Sequence, residues 1–307
     1  MQRRPFLLSL AAAVFGPVAC GPRSAPTTAV QGQGLSLATR FRGLERFQAL
    51  SARASSENWA ALPGGERVVS IARALRGTPY VNWTLEIDER IEAPSVNLLG
   101  LDCWTAYEIP LAFARMIGQK PAPWQPEDLL AWIEAERYRG GKCDGTYLSR
   151  MHYLEEVFYD NQRRGLATNI TPSLPGAQRM QRDITDMSNG WRSYRMMRAN
   201  PNLVPRIAKM ERRVSALPVW HVPKARVAAI EPLLRAGDIL AITGYWKGSY
   251  TSHVGLAVPA PGGTCRFLHA TSEHSKGRQV ILDARISQYL AENSSRAGVI
   301  VCRPRVG

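Results

Sequence analysis

The sequence predicts an α+β fold in which most helices precede most strands. Up to about residue 217, apolar residues recur at the spacing of one face of a helix. After Ala236-Gly237-Asp238, short apolar runs alternate with turn residues, which is typical of a meander of strands. Because helices and strands are segregated along the chain, the pattern argues against alternating βαβ units.

The composition indicates a soluble globular chain. Hydrophobic residues make up 45% of the 307 residues, which is enough for the core of one large domain or two small ones. No apolar run exceeds about 20 residues, which excludes a polytopic membrane protein. The formal net charge of +14 would suit nucleic acid, an anionic membrane or a cell wall. The arginines are scattered, so general composition is favoured over a polyanion groove and no nucleic-acid partner is predicted.

The N-terminus resembles an export signal. Arg3-Arg4 forms a basic start, and residues 6–18 form an apolar stretch too short to span a bilayer. The basic start resembles a twin-arginine signal, and the residues that end at Cys20 resemble a lipoprotein cleavage site in which Cys20 would carry the lipid. Pro17 departs from the usual pattern of that site, so simple cleavage followed by release stays an alternative. Export to the periplasm or cell envelope is predicted in both cases.

Three segments are predicted along the chain. Residues 1–19 form the signal peptide, and residues 41–307 form a single domain. Between them, residues 20–40 are rich in Gly, Pro, Ser, Thr and Gln and lack apolar periodicity, which predicts a flexible tether.

Helices are predicted from apolar spacing in the first two thirds of the domain. Residues 41–75 predict two helices because Pro63-Gly64-Gly65 interrupts the pattern, and residues 103–116 predict one despite Pro110. The middle of the chain, about residues 124–217, is predicted to be mostly helical. Its helices are expected at residues 127–136, 150–159, 185–198 and 203–217.

Short strands are predicted nearer the C-terminus, where apolar runs are bounded by turn residues. Residues 76–81 form an earlier turn that leads into a short extended piece. The later strands are expected at residues 239–243, 252–258, 266–270, 279–282 and 299–303.

Cys103 is the candidate nucleophile. Asp102 precedes it as a candidate helix cap, so the thiol would lie at the positive end of the helix dipole, where the pKa of a thiol falls and the thiolate is favoured. From position alone, a buried structural thiol or half of a disulfide is the commoner use of such a cysteine. Once Cys103 is reserved, Cys143, Cys265 and Cys302 form an odd set, so at most one disulfide is expected among them and its pair is open.

His253 and His269 lie on two predicted strands that flank the turn at residues 259–264. If the chain reverses near Pro261 and Gly262, paired residues have numbers that add up to about 522 or 523, and the two histidines are such a pair. Directly opposed side chains have Cβ atoms about 5 Å apart on one face of a sheet. Two opposed imidazoles together with a cysteine at a helix start fit a nucleophile, a base and an orienting group.

Several short strings occur in the order seen in NlpC-type papain-like cysteine hydrolases. They are Gly77-Thr78-Pro79-Tyr80, Leu101-Asp102-Cys103, Ala236-Gly237-Asp238-Ile239, Ser252-His253-Val254-Gly255 and Leu268-His269-Ala270. Within that group the chain resembles the N-acetylmuramoyl-L-alanine amidase-like family over about residues 68–303. The strings that carry this closer resemblance are Thr84-Leu85-Glu86, Arg137-Tyr138-Arg139-Gly140-Gly141, Ser149-Arg150-Met151-His152-Tyr153 and His221-Val222-Pro223-Lys224. Trp104 departs from the family pattern, in which a small hydroxyl residue is commoner after the nucleophile.

The resemblance implies a papain-like core in which the nucleophile helix packs on the C-terminal antiparallel sheet, with a largely helical insertion at about residues 124–217. It implies that Cys103 attacks an amide carbonyl, that His253 carries the proton and that His269 orients His253. The substrate would be peptidoglycan or a muropeptide, cleaved between N-acetylmuramic acid and L-alanine through a muramoyl thioester. No cofactor or metal is expected. The candidate substrate-binding residues are Tyr80, Glu86, Arg150 and His152.

Three alternatives stay open. An endopeptidase that cuts inside the stem peptide would use the same thiolate chemistry. A zinc site built from Cys103, His253, His269 and Cys143 is disfavoured, because the sequence lacks a C-x-x-C or H-E-x-x-H spacing. A non-catalytic envelope protein could bind glycan or membrane through its arginines. The oligomeric state, and whether intact sacculus or released fragments are cut, are also open.

Overall fold

The computed structural model describes residues 34–245 and 251–307. The predicted signal peptide, Cys20 and most of the predicted tether lie outside the described residues. The end of that tether differs from the prediction, because Leu37–Arg40 form one helical turn, α1, that is capped by the Ser36 hydroxyl. Arg40 is buried at the end of this turn, so ordered structure begins before residue 41. In the described part of the chain, no helix is long and apolar enough to cross a membrane.

Eleven α-helices occur in the described residues, together with several short 3₁₀ turns. The first five are α1, α2 (Leu44–Ser56), α3 (Gly64–Ala74), α4 (Cys103–Gln119) and α5 (Pro126–Arg137). The others are α6 (Leu154–Arg163), α7 (Asp186–Asn189), α8 (Arg195–Ala199), α9 (Leu203–Ser215), α10 (Lys224–Ile230) and α11 (Ile286–Ala291).

The predicted helices are confirmed at α2, α3, α4, α5 and α9, and two others need correction. The helix expected at residues 150–159 begins only at Leu154, since Arg150 is extended and pairs with Tyr138 in an isolated bridge. The helix expected at residues 185–198 is broken into α7 and α8 by a turn around Gly190. The middle of the chain, which was predicted to be mostly helical, also contains two short strands. Its polar residues did not predict them.

Ten strands form one two-stranded parallel pair and one eight-stranded sheet among the described residues. The pair consists of β1 (Phe41–Arg42) and β2 (Val96–Asn97). The strands of the large sheet are β3 (Ala167–Asn169), β4 (Gln178–Met180), β5 (Val219–Pro223), β6 (Ile239–Gly244), β7 (His253–Ala260), β8 (Thr264–Ala270), β9 (Val280–Arg285) and β10 (Arg296–Pro304).

All neighbouring strands in the large sheet run antiparallel, in the order β4-β5-β10-β6-β7-β8-β9, with β3 also paired to β10. The five strands predicted at the C-terminus are therefore confirmed, and so is the α+β class. The strand β5 was not predicted, and it places His221-Val222-Pro223 beside β10.

The large sheet is covered on both faces, because successive strand residues point to opposite sides. One face packs on α3 and α4, with Ile239, Ala241, Leu256, Leu268 and Ile300 in its core. The other face packs on α10 and α11, with Leu240, Ile242, Phe267, Val299 and Val301 in its core. A third, smaller core lies between α7, α8 and α9 in the helical middle. The predicted packing of the Cys103 helix on the C-terminal sheet is thus present, through contacts of α4 with β7 and β8.

Candidate active site

A cleft of about 290 Å³ opens at the N-terminus of α4. Its walls come from the segment before α4, from the helical middle and from the residue that precedes β7. The predicted residues in its lining are Tyr80, Glu86, Cys103, Arg150 and His152. The structure therefore brings the proposed nucleophile together with all four candidate substrate-binding residues.

Cys103 is the first residue of α4, and its geometry follows from the cap. The Asp102 carboxylate accepts the Thr105 N–H at 2.8 Å, and the Thr105 hydroxyl lies 3.0 Å from the Asp102 N–H, which completes a capping box. The Ala106 N–H is bonded to the Asp102 carbonyl. Of the first-turn donors, the N–H groups of Cys103 and Trp104 are left, and both act to lower the pKa of the Cys103 thiol.

The thiol itself differs from the prediction of a lowered pKa. Burial, and then the negative charge of Asp102, raise the pKa of Cys103 to about 12, although hydrogen bonds from the backbone N–H groups of Val254 and Trp104 act in the opposite direction. The sequence reveals the helix start but not the loss of water around the sulfur, which is the larger effect. Cys103 is partly exposed, and the four described cysteines form no disulfide.

The two histidines are in direct contact. His253 Nε2 lies 2.7 Å from His269 Nδ1, and their ring centroids are 4.8 Å apart at an interplanar angle of 89°. The Cys103 sulfur approaches the same strand, since it accepts the N–H of Val254, the residue after His253. The sequence thus identified the pair of rings and the strand beside the thiol.

The pairing of β7 with β8, which brings the rings together, is shifted slightly along the strands from the predicted pairing. Leu256 lies opposite Leu268 and Ala257 opposite Phe267, so His269 faces Gly255 and His253 is its diagonal neighbour. The chain reverses one residue later than expected, at Gly262 and Gly263, whose φ values are 72° and 67°. Such a step moves each pairing by two residues, so both rings stay on one face of the sheet.

Gly255 is required for this diagonal contact. A Cβ atom at Gly255 would lie 2.8 Å from the Cβ of His269 and 2.5 Å from the carbonyl oxygen of Leu268. Any side chain there would push the two strands apart or displace His269. The absence of a side chain leaves the space in which the two imidazoles meet.

Asp283 extends the histidine pair and was not predicted. His269 Nε2 lies 3.1 Å from Asp283 Oδ2, and Lys276 Nζ lies 2.7 Å from the same oxygen. Ile281 is directly opposite His269 in the β8–β9 register, so Asp283, two residues further along β9, lies on the same face. Only that register identifies Asp283, because a lone acidic residue near a predicted strand carries no distinguishing signal.

Glu86 and Arg150 form an internal ion pair in the cleft wall. Arg150 Nη2 lies 2.8 Å from Glu86 Oε1, and Arg150 Nε lies 3.1 Å from Glu92 Oε2. The Tyr147 hydroxyl also donates to Glu86, at 3.0 Å. Both side chains of the Glu86–Arg150 pair are at most 7% exposed. The pair therefore stabilises the cleft wall and leaves little surface for contact with substrate.

His152 and Tyr80 occupy other parts of the cleft lining. His152 Nε2 lies 2.9 Å from the Tyr147 carbonyl oxygen, and its ring contacts the Tyr147 ring. Burial, and then the positive charge of Arg150, lower the pKa of His152 well below its ordinary value, so the ring is neutral at physiological pH. The Tyr80 backbone bridges to Leu101, two residues before the nucleophile, while its half-buried side chain packs against the main core.

Trp83 is a cleft residue that sequence reasoning missed. Its side chain is 53% exposed, and its ring stands edge-on to that of Tyr194 with centroids 5.4 Å apart. Its φ of 62° is unusual for a large side chain and is a strained conformation of the kind found at functional sites. An exposed tryptophan in a loop has no sequence signature that separates it from a core residue.

Among residues 34–245 and 251–307, no group of three or more His, Cys, Asp or Glu side chains is arranged to hold a metal ion.

Comparison with solved structures identifies two similar proteins from Bacteroides. An N-acetylmuramoyl-L-alanine amidase from Bacteroides uniformis is 29% identical, with a TM-score of 0.70, and the match covers 79% of this chain and 99% of that one. A protein from Bacteroides fragilis named as a candidate xylanase is 31% identical, with a TM-score of 0.66, over 76% of this chain and 98% of that one.

A more distant structure shares only the fold. A protein from Legionella pneumophila is 18% identical, with a TM-score of 0.62, over 85% of this chain and 95% of that one. A search of curated proteins gave no match.

The family comparison covers most of the chain. The AmiA-like model, described as N-acetylmuramoyl-L-alanine amidase-like, matches residues 70–299. This span includes Cys103, both histidines and every residue described above as lining the cleft. The chain therefore belongs to the AmiA-like, N-acetylmuramoyl-L-alanine amidase-like family.

Proposed function

We propose that this protein is a papain-like cysteine amidase that cleaves the bond between N-acetylmuramic acid and L-alanine in peptidoglycan. One observation carries the proposal: a cysteine at the capped start of a helix accepts the N–H that follows His253, and His253 is bonded at 2.7 Å to His269. Membership of an amidase-like family supports the class of substrate.

The first half of the reaction forms a thioester. His253 Nε2 is occupied by His269, so Nδ1 is the ring nitrogen that takes the proton from the Cys103 thiol. The sulfur attacks the carbonyl carbon of the lactyl amide, and the N–H groups of Cys103 and Trp104 stabilise the resulting oxyanion. The His253 imidazolium then protonates the leaving nitrogen of L-alanine. The C–N bond breaks, and the muramoyl group stays on sulfur.

The second half releases the sugar. Water enters the site and gives a proton to His253 as its oxygen attacks the thioester carbonyl. The C–S bond breaks, the thiolate recovers its proton from His253, and the muramic acid carboxyl group leaves. The raised pKa of Cys103 fits a neutral thiol that is deprotonated during attack, in place of a standing thiolate. General acid–base catalysis of this kind contributes about 10²- to 10⁴-fold to the rate.

We also propose that the protein is exported and acts in the cell envelope, where its substrate lies. This rests on the basic and apolar pattern of residues 1–19 and on the small residue before Cys20. Attachment of a lipid to Cys20 stays a prediction that mass analysis of the mature N-terminus tests.

The bond specificity is tested by digestion of a defined disaccharide–tetrapeptide muropeptide. We expect mass spectrometry to find an intact tetrapeptide with a free L-alanine amino group and an unsubstituted disaccharide. Fragments cut inside the peptide would contradict the amidase and support an endopeptidase of the same fold. Binding without any cleavage would contradict the enzyme assignment and support the non-catalytic alternative.

Trp83 and Tyr194 supply an aromatic surface suited to the apolar face of a sugar ring, which an amidase of this specificity must hold beside the thiol. We expect Trp83→Ala to raise KM about two- to tenfold with little change in kcat, because an aromatic contact contributes about 0.5–1.5 kcal/mol. The measurement is steady-state turnover of the disaccharide–tetrapeptide.

The matched control for this prediction is Tyr245→Ala. Tyr245 is 65% exposed but does not line the cleft, so its removal should leave KM unchanged. Equal KM values for Trp83→Ala and the unmodified protein would contradict a role for Trp83 in holding the sugar.

A further inference from the structure

We propose that Asp283 is a positioning residue that fixes the protonation pattern of both histidines, so that His253 presents an unprotonated Nδ1 to the thiol. This inference rests on the proposed cysteine mechanism for its effect on the rate. The protonation pattern itself is a property of the free protein, so it can be measured without substrate.

The geometry makes Asp283 the anionic end of a chain of hydrogen bonds. Its Oδ2 atom lies 3.1 Å from His269 Nε2 and 2.7 Å from Lys276 Nζ, and its Oδ1 atom accepts the Ala284 N–H at 2.7 Å. The side chain is 11% exposed. Three donors on this largely buried carboxylate favour its ionised form.

The pKa of Asp283 agrees with this environment. Burial acts to raise the pKa, but the hydrogen bonds from His269 and Lys276 outweigh it and hold the pKa well below the usual range. At any pH at which the enzyme would work, Asp283 is therefore a carboxylate, which accepts hydrogen bonds and donates none.

The protons on the two rings follow from that single constraint. Because Asp283 only accepts, His269 Nε2 must carry a hydrogen. Burial lowers the pKa of His269, so the ring is neutral and its Nδ1 is an acceptor. His253 Nε2, 2.7 Å away, must then be the donor. Burial, and then His269, lower the pKa of His253 as well, so its remaining nitrogen, Nδ1, holds a lone pair.

The same arrangement compensates charge during the reaction. When His253 takes the thiol proton, a positive charge forms on a buried ring beside His269. Asp283 is the negative group bonded to that second ring, so it stabilises the imidazolium through His269. It stays ionised while His253 carries the proton, because its hydrogen bonds hold its pKa well below the usual range.

Other charged and titratable groups surround this chain of hydrogen bonds. From α11, Tyr289 packs on both rings, with centroids 6.0 Å from His253 and 5.1 Å from His269. From β10, the Arg296 guanidinium lies 3.6 Å over the Tyr289 ring. Lys276 is also bonded to Glu292, and Glu273 pairs with both Lys276 and Arg296. Among these groups, Asp283 is the carboxylate that bonds a ring nitrogen directly.

The wild-type protein provides a test that needs no substrate. Long-range ¹H–¹⁵N spectra of protein labelled at histidine distinguish the Nδ1–H from the Nε2–H form of each neutral ring. We expect both His253 and His269 to carry the hydrogen on Nε2, with assignments from single His→Gln variants. An Nδ1–H form of His253 in the wild-type protein would overturn the proposal.

The catalytic test replaces the carboxylate with an amide. Because an amide both donates and accepts, Asp283→Asn no longer imposes one protonation pattern, and it removes the negative charge. We expect kcat on the muropeptide to fall about 10- to 100-fold with little change in KM. This loss is smaller than the roughly 10⁴-fold loss expected when an aspartate that touches the catalytic histidine itself is replaced, because Asp283 acts one ring away.

The pH profile separates positioning from a structural role. Removal of the anion makes the imidazolium less stable, so the pKa of His253 falls further and the acidic limb of the kcat profile should move to lower pH. Asp283→Glu, which keeps the charge, should recover part of the rate. As a control, Asp160→Asn removes a carboxylate that pairs with Arg164 on α6 and should leave kcat and the profile unchanged.

An unchanged rate and pH profile in a folded Asp283→Asn variant would overturn the proposal. If that variant fails to fold, the wild-type spectra and the kcat of Asp283→Glu still test the proposal. If the wild-type protein cleaves no muropeptide, the proposed function fails while the spectra continue to test the protonation pattern.

Discussion

Cys103→Ala is expected to abolish cleavage of the muropeptide while the protein keeps its fold. Without sulfur, no thioester forms, and the remaining histidines activate water poorly because the site is built around attack by the helix-start residue. Cys103 lines the cleft and is not fully buried, so loss of its sulfur should cost little packing. Product formation is followed by liquid chromatography, and folding by thermal unfolding.

The matched control is Cys302→Ala, which removes a fully buried thiol from β10. This variant should keep its kcat and lose only some stability. Measurable turnover by a folded Cys103→Ala protein would contradict the cysteine mechanism, and the role of the histidine pair would then have to be reassigned.

Arg137→Met is expected to lower the free energy of unfolding by about 3–5 kcal/mol, because it leaves the Glu108 carboxylate of α4 buried without its partner. Arg137 reaches Glu108 through Nε at 3.1 Å and Nη2 at 2.6 Å, and its Nη1 atom lies 3.2 Å from the Ser95 hydroxyl. The two side chains are 0% and 2% exposed. Urea denaturation measures the change.

This buried pair also supports the candidate active site. Glu108 accepts the indole N–H of Trp104 at 3.3 Å, one turn from the nucleophile. The double variant Glu108→Leu/Arg137→Met removes both charges and should recover much of the lost stability. An exposed pair serves as the control. Arg53→Met breaks the ion pair with Glu57, whose two side chains are 53% and 47% exposed, and it should change the free energy of unfolding far less than Arg137→Met. A loss that small in Arg137→Met would contradict the assigned role.

Local sequence patterns were sufficient to predict most of the helices and strands. Helical apolar spacing predicted α4 with Cys103 at its start, because the Asp102 cap and the turn before it are encoded within a few residues. Turn residues likewise marked the strands of the C-terminal meander. The helix expected at residues 185–198 is interrupted by a turn around Gly190 that separates α7, which packs on α9, from α8, and apolar spacing alone does not report this break.

The contacts between side chains on neighbouring strands were less predictable. The two histidines were placed on one face because the alternation of a strand has a period of two, which tolerates a shift of two residues. Their diagonal contact depends on where the chain reverses, at Gly262 and Gly263, and on the missing side chain of Gly255. These features arise from the pairing of β7 with β8.

By itself, the sequence determined the order of helices and strands, the helix-start cysteine and the two histidines, since each depends on residues that lie close by in the chain. The tertiary structure alone decided that burial raises the pKa of Cys103, that Glu86 and Arg150 bond each other, and that Asp283 ends the histidine chain. The reason is physical: desolvation and the pairing of charges depend on residues far apart in the chain, and only the packed sheet and helices bring them together.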